Sequence, residues 1–183
     1  MADVTDAEAI VARTRRWIER AVIGLELCPF ARRPYEAGSI RFVVSTARDA
    51  DALLRELDAE LLRLAASDSA ELETTLLIHP HVLTDFLEYN DFLDVADALL
   101  VALDLTTEFQ IASFHPQYRF ADAEPDAIEN YTNRSPYPML HLLRCSSVER
   151  AIATFGDTSK IYSANIATLH RLGFAGWRAL DVD

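Results

Sequence analysis

Two short apolar runs in this chain stop at the same dipeptide. One leads into His79-Pro80 and the other into His115-Pro116. Proline has no amide hydrogen for a sheet ladder and holds the residue before it in extended backbone. Each run therefore reads as a β-strand whose last residue is a histidine at the sheet edge. Two more runs, 40–45 and 139–145, have strand character, and the last carries His141 as its third residue.

Helical periodicity fills the intervals. Ile10, Trp17, Ile18, Ala21 and Leu25 share one face of a first helix ending near Leu27, behind a capping box at Thr5 and Glu8. Leu53, Leu57, Leu61 and Leu64 form the buried stripe of a second, capped by Ser45 or Thr46. A third begins at Thr84 and turns Phe86, Leu87, Leu93, Ala96, Leu100 and Leu103 inward. A capping box at Ser146 starts a fourth, and Asp157 caps a fifth that Gly173 ends. Two prolines, Pro29 and Pro34, argue against regular structure around Cys28. The order is α-β-α-β-α-β-loop-β-α-α. It predicts one α/β domain over 1–183, a sandwich with a mixed, mostly parallel four-stranded sheet and flanking helices. Strands joined by helices run parallel, and the fourth, reached without one, returns antiparallel.

A net charge of −12 over 183 residues speaks against a nucleic-acid backbone or an anionic membrane as partner. With five glycines and no Walker or Rossmann fingerprint, common nucleotide chemistry is disfavoured too. The opening MADVTDAEAI has neither a basic nor an apolar leader segment, so we expect a cytoplasmic protein with Cys28 and Cys145 as free thiols.

Sites in open sheets form beyond the carboxyl ends of parallel strands. His79 and His115 end two such strands, and His141 starts the returning one at the same edge. The expectation is a shared pocket of His79, His115 and His141, serving as acid–base groups or as ligands to a divalent metal such as zinc. The bland alternative is that each imidazole bonds a loop carbonyl. The polar stretch 116–138 is long for a loop, which suits function. Within it Arg134, Asn133, Asn130, Ser135 and Tyr118 would bind a small anionic substrate, Arg134 by a bidentate grip; the alternative is that they build turns. Cys28, beside Arg32 and Arg33, is a candidate nucleophile with a histidine as base; a core thiol is the competing reading. An enzyme such as a hydrolase acting on a small anionic metabolite is the expected class. A non-catalytic module binding a small ligand or peptide, or a Cys28-dependent thiol enzyme, is the alternative.

The segments TRRWIERAVIGLELCPFA (14–31), TTLLIHPHVLTDFLEYNDFLDVADALL (74–100), ASFHPQYRFA (112–121) and ENYTNRSPYPMLHLLR (129–144) resemble the mainly bacterial, uncharacterised family catalogued as domain of unknown function 1415. The resemblance spans nearly the whole chain. It implies no established activity and carries over no catalytic residue. His81 and Cys145 fall outside the family pattern, which makes both poorer site candidates.

Overall fold

A computed structural model describes residues 4–155 and 159–182. The Thr5 side chain and Asp157, both predicted caps, lie outside the described residues. The fold is mixed α/β, with four strands, β1 (Ile40–Val44), β2 (Thr74–Ile78), β3 (Phe109–Phe114) and β4 (Met139–Arg144), in the order β1-β2-β4-β3. β4 is inserted between β2 and β3 and is antiparallel to both. Only β1 and β2 pair in parallel. The mostly parallel sandwich predicted above is thereby cut back to a mixed α/β fold with a four-stranded mixed sheet. The three helix-linked strands do share a direction, but the returning strand pairs with two of them and breaks their ladder.

Both faces of the sheet are covered, and strand parity decides which residue goes where. Leu77, Leu140 and Leu142 meet α3 (Ala50–Ala66) and α4 (Phe86–Ala102) on one face. Leu76, Ile78 and Met139 meet α1 (Val4–Trp17) and α6 (Ser159–Ala179) on the other. The α3 stripe Leu53, Leu57, Leu61 and Leu64 is fully buried, as its spacing requires. Its cap is Asp49, accepting from the Ala52 amide at 2.7 Å, not Ser45 or Thr46. Asp85 caps α4 by accepting from the Leu87 and Glu88 amides. Ala96 and Leu100 are buried and Phe86, Leu93 and Leu103 pack against the core, as predicted, but Leu87 is 61 % exposed and Tyr89 and Phe92 are buried beside that face.

α1 runs into a π-helical turn, Ile18–Ile23, whose residues Ile18, Ala21 and Val22 are buried. At Gly24, which follows, any Cβ would collide with the Arg20 carbonyl. Regular structure does occur near Cys28: the five-residue α2 (Arg32–Glu36) holds Pro34 in its first turn, where a proline is tolerated. α5 (Cys145–Phe155) starts directly at the end of β4, so Ser146 lies inside it rather than capping it, and Cys145 is half-buried at its first residue. α6 breaks at Gly173 (φ 65°) and then resumes to Ala179. No helix among the described residues is long and apolar enough to cross a membrane.

Candidate functional site

His79 and His115 converge, as their strand-end positions predict. Each lies one residue beyond its strand, and both rings pack on Tyr89 of α4, at centroid distances of 5.7 and 5.0 Å. Three of their four ring nitrogens, however, bond backbone groups, two of them in the turn between β2 and α4, and Nε2 of His79 is buried with no partner. Nδ1 of His79 donates to the Val82 carbonyl at 2.9 Å. His115 accepts from the Gln117 amide at Nδ1, so its Nε2 carries the hydrogen and donates to the Leu83 carbonyl. Leu83 itself has φ 54°, a strained backbone that these contacts hold in place. Both histidines are fully buried. Burial lowers both pKa values, that of His79 to about 4.

His141 does not join them. It pairs with Leu76 and Ala112 in the ladders, an odd number of rows in from the strand ends, and therefore faces the other side of the sheet. Its ring neighbour is Phe114, at 6.2 Å. The predicted three-histidine metal centre is thus corrected by parity. Among the described residues no three His, Cys, Asp or Glu side chains are grouped to hold a metal ion.

The predicted substrate-binding residues are spent on the loop itself. Arg134 donates to the carbonyls of Tyr118 and Pro125 and lies over the Tyr131 ring at 4.3 Å. Asn130 is fully buried; its Oδ1 accepts from the Phe120 amide and its Nδ2 donates to Glu124 and Pro125. Asn133 donates to Ser113 and Ser135 to Tyr137, both backbone carbonyls. Tyr118 stacks edge-on against Phe86 and Phe120. These donors close a structured connection around a short 3₁₀ helix, Ile128–Thr132.

A concave site forms instead on the His141 face. α1 and its π-helical turn cover one half of that face. Over the other half, the segment from Cys28 to Pro34 and α5 leave a cavity of about 490 Å³. Trp17, Leu76, Ala112 and Phe114 form its apolar wall, with Trp17 and Phe114 edge-to-face at 5.4 Å. His141 also lines it. Nε2 of His141 is buried with no protein partner, and burial alone pushes the pKa to about 4, so the ring is neutral at pH 7. A buried polar atom without a partner is uncommon and costs about 1–3 kcal/mol.

Cys28 lines the same cavity and also a second one, of about 430 Å³, between the π-helical turn and α6. Burial raises its thiol pKa, outweighing the amides of Phe30 and Ala31 that bond the sulfur. The activation expected from Arg32 and Arg33 does not occur: Arg32 pairs with Glu36 at 3.5 Å. The sequence did not reveal this cavity, because its walls come from segments more than a hundred residues apart. The available signal was the Cys-Pro-Phe interruption after a helix.

No curated protein and no solved structure matches the chain. Residues 9–179, most of its length, match the family model described as a protein of unknown function (DUF1415), and the chain belongs to that family.

Proposed function

We propose that this protein binds a small, largely apolar molecule in the cavity between its sheet and the Cys28–Pro34 segment. The observation that carries the reading is a concave, mainly apolar cavity, walled by Trp17, Leu76, Ala112 and Phe114, that also holds His141, a buried ring whose Nε2 has no partner in the protein. The volume, about 490 Å³, lies within the roughly 300–1,000 Å³ of small-molecule sites.

A thiol enzyme is the second reading, and its support is that Cys28 and His141 line one cavity. The electrostatics run against it. Nucleophilic catalysis needs a thiolate and a competent base; burial raises the thiol and lowers the imidazole, so both stay neutral at pH 7.

The test is titration with an uncharged fluorescent naphthylamine, comparing the native chain with Ala112→Phe, which fills the cavity from its floor. One saturable site per chain, lost in Ala112→Phe with the unfolding midpoint retained, is the expected result. Equal binding by both proteins sinks the proposal.

A further inference from the structure

The charges around this cavity differ from those of the molecule as a whole. The chain carries a net −12. The cavity is lined by two arginines, Arg33 and Arg150, against one carboxylate, Glu73, while Cys28 and His141 are uncharged. Its lining is therefore net positive on an acidic protein. The two arginines are not equivalent. Arg150 faces Glu73 at 3.7 Å and also donates to the Ser147 hydroxyl. The guanidinium of Arg33 has no partner among the described residues and is exposed, on the segment that roofs the cavity.

We infer that the ligand is an amphipathic monocarboxylate, its apolar body under Trp17 and Phe114 and its carboxylate at Arg33. The inference rests on the proposal that the cavity binds a small molecule. A carboxylate left inside, beside apolar walls and a neutral imidazole, would be desolvated without compensation. At the rim it keeps water and gains the planar, two-pronged donor set of a guanidinium. The interior then receives only the apolar portion and one uncharged polar group opposite His141. An ammonium head would instead meet Arg33 as a like charge.

The experiment is calorimetric titration of the full chain at pH 7.5 with octanoate, 1-octanol and octylamine. Octanoate should bind more tightly than octanol, by at least about threefold, the upper range of an exposed ion pair. Octylamine should bind more weakly than octanol. Added salt should shrink the octanoate advantage. Arg33→Gln should bring the octanoate-to-octanol ratio near one, and Arg33→Lys should restore part of it. If octanoate and octanol bind the native chain equally, and Ala112→Phe abolishes both, the cavity reading stands and the anionic class is overturned. If none of the three binds, or octanoate binding survives Ala112→Phe, both proposals are overturned.

Discussion

The hydroxyl of Tyr89 donates to the carbonyl of Met139 at 2.9 Å and accepts from the amide of Phe114 at 3.0 Å. Phe114 and Met139 are the last residue pair of the β3–β4 ladder. A side chain from α4 thus completes the sheet where the two strands part, and its ring supports His79 and His115. Tyr89→Phe keeps the ring and removes the bridge, leaving a strand amide and carbonyl unpaired. We expect a loss of about 1–3 kcal/mol, read as a lower urea midpoint with an unchanged slope. A change below 0.5 kcal/mol would show that the strand ends pair without it.

Mild acid should destabilise this protein through its buried histidines. Burial holds His79 and His141 near pKa 4, and lowers His115 as well, against about 6.5 in an unfolded chain. Between those values the unfolded state binds more protons than the folded one, so stability rises with pH across the window. It is fully present above about pH 7 and is lost progressively as pH falls from 6.5 toward 4. Each of the two strongly shifted rings contributes up to about 3 kcal/mol. Urea midpoints at pH 7.5, 6.0 and 5.0 check this. A flat profile would contradict neutral buried imidazoles.

Replacing His141 should stabilise the ligand-free protein. Its Nε2 is a buried atom without a partner, so His141→Leu removes a desolvation cost and leaves the sheet position apolar. The expected gain is about 1–3 kcal/mol at pH 7, with a shallower loss of stability at pH 5. Binding of the naphthylamine probe should weaken in the same variant. A net loss of stability would mean that the ring has a partner of its own.

Cys28 should react slowly. Its thiol lines two cavities, but burial favours the protonated form, and the thiolate is the reactive species. In a Cys145→Ser background we expect iodoacetamide alkylation at pH 7.5 to run at least about tenfold below free cysteine. Saturating octanoate should slow it further. A rate at or above that of free cysteine would revive the thiol-enzyme reading.

The stripes of α1 and α3 were legible in the sequence because buried leucines and tryptophan recur at helical spacing. The strand ends at His79 and His115 were legible because proline forbids a further ladder bond. What failed was parity. The two His-Pro histidines share a row, but the face taken by His141 depends on how β4 registers against β2, and no local signal encodes that register. Asn130, Asn133 and Arg134 read as ligand-binding donors for a related reason. A long connection between antiparallel neighbours has many backbone carbonyls to satisfy, and these side chains satisfy them. Tyr89 escaped notice because one hydroxyl between two strand ends leaves no periodic trace.

Asn130 gives the sharpest test of the loop as scaffold. Its amide is fully buried, with Nδ2 2.8 Å from the Glu124 carbonyl and Oδ1 3.0 Å from the Phe120 amide. Asn130→Asp keeps the shape but replaces the NH₂ donor by an oxygen facing two carbonyls. The carboxylate would be buried, repelled on one side and bonded on the other. We expect about 2–3 kcal/mol of destabilisation. We also expect trypsin to cleave faster at Arg119, which is exposed within the same loop. The loss should shrink as pH falls and the new carboxyl protonates, because a protonated oxygen can donate to Glu124 again. The sign opposes the histidine effect, so the variant's stability should fall less steeply than that of the native protein below pH 6. If the loop bound substrate through Asn130 rather than folding around it, Asn130→Asp would leave both cleavage rate and urea midpoint unchanged.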